Sequence, residues 1–409
     1  MPSPMPRLRA NLDFMPSPVP DRPGLLIRDA YQYSDATLII PPGLVGCLRL
    51  FDGQTSELEL REELVRITGD LQVGDLQRNL IDTLTASGFL EDATYQRMRD
   101  DRHRQFAEEP VRQATHSGSA YPDEIDPLRD TLREWMQGDA APAGAPAVKD
   151  LMGIAAPHVS PEGGWKSYQA AYGALNPEHK DRTFVVLGTS HYGQPERFGM
   201  TRKPFVTPLG ESRVDLPLVE SLVKSAGDAI LMEDYCHSIE HSIEFQVLFL
   251  QHVYGPDIRI LPILCGSYAH SIYEGGAPEN DENVRRFLGA LGDLAASEGD
   301  KLFWVLGIDM AHMGRRYGDP FAALADNDEM ERVAARDRLR IDRINAGDAR
   351  GFWDLVQENQ DDLKWCGSSP LYTFLKVAPQ ARGELNRYEQ WNIDDQSVVS
   401  FAGISFRNH

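Results

Sequence analysis

Three apolar runs in this chain end on side chains that can bind a metal or move a proton. "LMGIAAPH" ends at His158, "TFVVLGTSH" at His191 and "LFWVLGID" at Asp309, with His312 three residues further on. Each is a short buried run, then small residues, then an imidazole or a carboxylate. A buried polar group without a partner costs roughly 1–3 kcal/mol, so core packing explains three such ends poorly. In open α/β sheets the carboxyl ends of strands border the crevice where ligands sit. The pattern predicts one pocket at the sheet rim, suited to metal binding or acid–base chemistry.

Cys366, in "WCGSSPLYTFL", sits at a turn before an apolar helix, where the positive end of the dipole favours thiolate. Cys47, Cys236 and Cys265 read as small core residues. "DYCHSIEHSIEFQVLFLQHVYG" reads as an amphipathic helix after a polar start. On it His237, His241 and Glu244 fall at i, i+4 and i+7 and share one face. That set is a competing zinc site, although it lacks the HExxH order and Glu244 is followed by Phe245 rather than His. The other reading is a helix start whose polar residues line or brace the pocket. There is no GxSxG elbow, no GxxxxGK[ST] and no GxGxxG opening a helix. Ser190 beside His191 makes no triad, because neighbours on an extended segment point apart.

The elements that must position these groups alternate apolar strand-like runs with helical patterns from Val111 onward. That is the signature of an α/β unit on a central sheet. A helix over Asp126–Met136 precedes "GDAAPAGAPAVKD", which reads as a surface loop. Before it, residues 22–95 form a separate small unit. "GLLIRDAYQYSDATLIIP" has two short strands with a turn at Ser34-Asp35. "SELELREELVRITG" is a helix capped by Ser56 or Thr55, and "VGDLQRNLIDTLTASGFLED" is another, ending on Gly88. The charged "YQRMRDDRHRQFAEEP" is a linker helix over 96–112. Residues 1–21, with a repeated Met-Pro-Ser-Pro, read as a flexible lead-in.

At 409 residues the chain suits two or three domains, and 42% hydrophobic with 25% charged residues leaves ample material for a core. A net charge of −21 disfavours nucleic acid or an anionic membrane as the main partner. Four cysteines without a CxxC pair indicate neither a disulfide framework nor a zinc ribbon, so a reducing cytoplasm is expected. The N-terminus lacks the apolar region of a signal peptide, and no run reaches the length of a membrane span.

In order over roughly 113–405 stand "HSGSAYP", "IAAPH", "VLGTSH", "TPLGESRVD", "EHSIE", "DMAHMGRRYG", "WCGSSP" and "SVVSFAG". On these motifs the chain resembles the Memo family, the protein-B component of the AMMECR1/Memo/radical-SAM set, related to the class III extradiol dioxygenases. The resemblance implies an α/β domain over 113–409 with a mainly parallel central sheet flanked by helices. It also implies a metal held by His158, His191 and Cys366, with Asp309 and His312 as the acid/base pair. Glu240, His241 and Glu244 of "EHSIE" would line or support the pocket, together with Ser190 and Tyr192 beside the second histidine. The small unit resembles the winged-helix, peptide-binding modules of the pyrroloquinoline-quinone pathway; a generic helical accessory domain is the other reading.

Departures from the family pattern surround the ligands. "HVSPEGGWKSY" replaces the usual Gly-Tyr and aromatic, so the pocket wall is expected around Pro161, Gly163-Gly164 and Trp165. Gly367-Ser368 replaces Gly-Arg, and Gly307-Ile308 replaces a serine pair. Two imidazoles and one anionic ligand leave open positions on Fe(II), while a thiolate makes Cu(I) or Zn(II) rivals. Asp309 is expected to orient His312 by hydrogen bonding. The reading is a metal-dependent, extradiol-dioxygenase-like oxidoreductase, acting on a small or peptide-borne substrate presented by the first domain. Its alternatives are a non-catalytic metal- or ligand-binding partner of a radical-SAM enzyme or AMMECR1-like protein, and a zinc hydrolase.

Overall fold

The computed structural model describes residues 4–137, 150–325 and 327–409, so most of the "GDAAPAGAPAVKD" stretch lies outside the described residues. They divide into two units, one ending at Glu108 and one running from Glu109 to His409.

In the smaller unit β1 (Leu12–Pro16), β2 (Leu25–Asp29) and β3 (Thr37–Ile40) form an antiparallel sheet in that order. Helices Glu57–Thr68, Gly74–Ala86 and Ala93–Glu108 follow. The first opens with a capping box between Ser56 and Glu59 and closes on Gly69 in the left-handed conformation. The flexible lead-in expected over residues 1–21 is corrected here. Met5 and Leu12 are buried, the Met5 amide donates to the Thr55 carbonyl at 2.8 Å, and β1 pairs along β2. Arg9 is buried too, paired with Asp29 at 2.8 Å. Prolines masked the strand because β1 is an edge, where a missing N–H is tolerated. The expected linker helix over 96–112 instead starts at Ala93, buries Phe106 and ends this unit at Glu108.

The larger unit is built on an eleven-stranded sheet. Its strands are β4 (Leu151–Ala156), β5 (Thr183–Thr189), β6 (Phe198–Met200), β7 (Phe205–Thr207), β8 (Gly210–Val214) and β9 (Ile230–Met232). They continue with β10 (Arg259–Cys265), β11 (Leu302–Gly307), β12 (His312–Gly314), β13 (Ala381–Asp394) and β14 (Ser397–Asn408). The main path runs β12-β14-β4-β11-β5-β10-β6-β9. Its centre, β4-β11-β5-β10, is parallel, as the alternation of strands and helices predicts. Strands β5 and β11 are buried at every position, which is why they read as unbroken apolar runs.

Helices cover the sheet through aromatic contacts. Tyr168 of helix Pro161–Tyr172 stacks on Phe249 of helix Glu244–Tyr254 at 4.2 Å, and Phe374 of helix Ser368–Val377 meets Trp304 of β11 at 5.6 Å. The single amphipathic helix expected across Asp234–Gly255 is not formed. A four-residue turn of helix, Cys236–Ile239, stops at Glu240, whose backbone is extended, and a new helix starts at Glu244. That second helix is buried almost all round, so its polar start marks a bend and not one face of a longer helix. Among the described residues no helix is long and apolar enough to cross a membrane.

Candidate metal centre

Because β11 lies between β4 and β5, three strand ends open side by side. Gly307 is level with Ala156 on one side and Gly188 on the other. The chain leaves these positions as Pro157-His158, Ser190-His191 and Ile308-Asp309. The Ile308 amide still donates to the Ala156 carbonyl at 2.9 Å, and the His158 amide donates to Asp309 Oδ1 at 2.9 Å. Residues 240–243 then cross directly over the strand ends. A Cβ on Gly307 would stand 2.1 Å from the Ser242 carbonyl oxygen, so glycine here is what admits that crossing.

The crossing delivers His241. One ligand atom from each of His158, His191 and His241 lies within 4.8 Å of the other two. The His191 and His241 rings are stacked with centroids 4.9 Å apart, and His158 meets both edge-on at 5.0 and 5.1 Å. Cys366 joins them, its Sγ 3.2 Å from His158 Nε2. The structure thus brings the three expected ligand residues together and adds an imidazole that the sequence assigned only to support.

Each ring is held by its other nitrogen. His158 Nδ1 lies 3.0 Å from the Gly307 carbonyl oxygen, which can only accept, so Nδ1 carries the proton and Nε2 is free. His191 Nδ1 donates to Glu240 Oε1 at 3.0 Å, and its backbone amide donates to Glu240 Oε2 at 2.9 Å. Glu240 Oε1 also accepts from the His241 and Ser242 amides at 2.9 and 3.1 Å. Burial alone would raise the Glu240 carboxyl, but the His191 and His241 rings and these N–H groups hold it well below the usual carboxylate range. Burial lowers His158 and His241, keeping both imidazoles neutral as metal ligands require. For His191, Glu240 and Cys366 outweigh burial and raise it. Burial also raises the Cys366 thiol, against the lowering effect of the neighbouring His191 ring. Imidazoles with buttressed Nδ1 and an adjacent thiol fit a soft-to-borderline divalent ion.

The acid/base pair is arranged differently from expectation. His312 opens β12, and its Nδ1 faces the Met310 and Lys364 carbonyl oxygens at 2.9 and 3.1 Å. Asp309 therefore does not orient it through that nitrogen; its carboxylate serves the His158 backbone, with Oδ2 3.6 Å from His158 Nε2. Burial pushes Asp309 up to about 7 and His312 down to about 4. The Tyr317 ring stands edge-on to His312 at 4.9 Å.

The competing zinc set is dispersed. The Glu244 carboxylate is buried in an ion pair with Arg112 and also accepts from the Thr115 and His116 amides and from Tyr121 Oη at 2.6 Å. His237 is buried against Phe205, rings 6.1 Å apart. Of the two roles expected for Glu244, lining or supporting the pocket, its contacts are those of a support: it anchors "HSGSAYP", whose His116 ring lies 5.6 Å from that of His241. The motif was visible, but nothing in it signalled that His116 reaches this cluster.

Val159, Val399 and Phe401 form a small cluster with Tyr317, Trp391 and Ile393 against it. A Cβ on Gly163 would meet the Trp391 indole at 2.5 Å, so helix Pro161–Tyr172 packs closely on that indole through its glycine. Trp165 is half-buried with the Lys166 ammonium 5.4 Å from its ring. Ser190 is buried, and the Tyr192 ring lies 6.3 Å from that of His191.

Fold and site define a class: α/β proteins with imidazoles and a thiol gathered at the carboxyl edge of a mainly parallel sheet. The family described as "Memo-like protein" matches residues 112–405, and the chain belongs to it. A MEMO1 family protein of Aquifex aeolicus is 25% identical over 385 residues, 93% of this chain and 95% of the relative. One from Thermococcus kodakarensis is 31% identical over 265 residues, 61% of this chain and 86% of the relative. One from Archaeoglobus fulgidus is 28% identical, covering 97% of the relative but 71% of this chain. The archaeal proteins are shorter by about the smaller unit, whereas the Aquifex protein is matched along nearly the whole chain.

Proposed function

We propose that this chain is a metal-dependent oxidoreductase of the extradiol-dioxygenase type, with Fe(II) held by His158, His191 and Cys366 and with His241 beside them. The observation that carries this reading is the convergence of three imidazoles, within 4.8 Å of one another, on a rim that also carries the Cys366 sulfur. Fe(II) would supply open coordination positions for O₂ and a chelating substrate; Cu(I) and Zn(II) are the rivals that a thiol ligand favours. His312, neutral at physiological pH and tethered through Nδ1, is suited to take a substrate proton at Nε2. Tyr317 and Trp391 supply an aromatic flank for an apolar or aromatic substrate. A small or peptide-borne substrate, presented by the N-terminal unit at raised effective concentration, completes the reading. A radical-SAM or AMMECR1-like protein would be its partner.

Elemental analysis after anaerobic purification tests the proposal, with wild type beside His191→Ala and Cys366→Ala. Iron in the wild type, lost in both variants, and O₂ consumption support it. Stoichiometric metal without O₂ consumption against any peptide or aromatic pool favours the binding-partner alternative. Zinc lost on His237→Ala but kept on His158→Ala favours the hydrolase, a result at odds with the burial of Glu244 against Arg112.

A further inference from the structure

Behind the cluster, helix Asp328–Asn345 carries a buried carboxylate that touches none of the proposed ligands, Asp337. Its Oδ1 accepts from Trp365 Nε1 at 2.7 Å, and its Oδ2 accepts from Tyr388 Oη at 2.7 Å and Ser400 Oγ at 2.6 Å. Two of these donors lead to the site. Trp365 precedes Cys366, and its backbone amide is held as well, by Asp361 Oδ2 at 3.0 Å. Ser400 Oγ accepts from the Ala311 amide at 2.8 Å, and the Ser400 carbonyl accepts from the Met310 amide at 2.8 Å. The two segments so gripped are tied to each other in front. The His312 amide donates to the Leu363 carbonyl at 2.9 Å and the Gly367 amide to the Asp309 carbonyl at 3.0 Å.

Stability alone is a weak reason for this carboxylate. Replacing buried ionic groups by well-packed apolar residues is often neutral or stabilising. A buried carboxylate that accepts from both a tryptophan indole and a strand serine does something an apolar residue cannot: it sets their separation. We infer that Asp337 is a positioning residue that fixes the Trp365–Cys366 segment against the 309–312 segment, and so sets the Cys366 sulfur against the imidazoles. The inference rests on the reading of Cys366 as a metal ligand.

A double-mutant cycle in the full chain separates the two claims, with Co(II) alone as probe and affinity measured by chelator competition. Cys366→Ala should weaken Co(II) binding strongly. Asp337→Asn should weaken it ten- to a hundredfold, the usual range for groups that orient ligands, and shift the thiolate-to-cobalt absorption band. In the Cys366→Ala background, Asp337→Asn should cost nothing further. The same fold loss in both backgrounds, or no loss in either, overturns the positioning role while leaving the ligand reading intact. Wild-type affinity in Cys366→Ala alone overturns the ligand reading and the inference with it. Trp365→Phe, which removes the indole donor together with part of the buried ring's packing, provides the same cycle where Asp337→Asn fails to fold.

Discussion

Glu240 holds His191 at two points, through the backbone amide at 2.9 Å and the ring Nδ1 at 3.0 Å. The His241 and Ser242 amides donate to the same Oε1, and His241 Nδ1 lies 3.3 Å from it, so one carboxylate contacts both stacked rings. Glu240→Gln turns an acceptor into a mixed donor–acceptor group and should disturb the His191 tautomer. The expected outcome is a ten- to hundredfold loss of Co(II) affinity with the fold retained, checked by metal titration beside circular dichroism.

His312 is tethered by two carbonyls at Nδ1. His312→Gln should leave metal content unchanged and lower turnover by 10²–10⁴, the usual contribution of a positioned proton acceptor. Loss of metal in this variant would assign His312 to the ligand set instead.

Gly307→Ala drives a methyl group to 2.1 Å from the Ser242 carbonyl oxygen. The 240–243 crossing must lift, so the variant should lose about 1–3 kcal/mol of stability, as overpacked sites do, and bind metal more weakly. Urea denaturation and Co(II) titration read the two effects. Unchanged metal affinity would show that the crossing is not what seats His241.

Arg112 and Glu244 are a fully buried pair. Removing one partner strands the other charge, so Arg112→Met should cost about 3–5 kcal/mol in chemical denaturation. A smaller cost is expected of Tyr121→Phe, which removes one of several donors to the same carboxylate.

Away from the centre, His179 is buried against Phe303, and its Nδ1 accepts from the Asn176 amide at 3.3 Å. Burial lowers it from 6.5 to about 4. The unfolded chain therefore takes up this proton first as pH falls. The stabilisation is complete above pH 6.5 and is lost as pH falls from 6.5 toward about 4. His179→Leu should flatten that part of the urea-midpoint profile; a profile parallel to wild type would refute the assignment.

How far the sequence could be read follows from what each signal depends on. The apolar runs before His158, His191 and Asp309 announced a buried parallel sheet because strands covered on both faces must be apolar throughout. A cap at Ser56 or Thr55 was legible because capping is a contact within one turn, and the structure places it at Ser56 with Glu59. The long helix through His241 was misread because its apolar residues are buried on every side, so periodicity could not reveal the break at Glu240. β1 was missed because prolines are tolerated at a sheet edge.

By itself, the sequence determined the α/β class, the family and the chemical types at the strand ends, all of which are properties of short contiguous stretches. Only the tertiary structure decided that β11 lies between β4 and β5, that the 240–243 crossing adds His241, and that Glu244 pairs with Arg112 while holding His116 beside His241. Those outcomes depend on strand order and on close approaches between residues far apart in sequence, such as Glu240 on His191, 49 positions away, and Asp309 on His158, 151 positions away. Separations of that kind leave no local pattern, because the partners meet only after the sheet has formed.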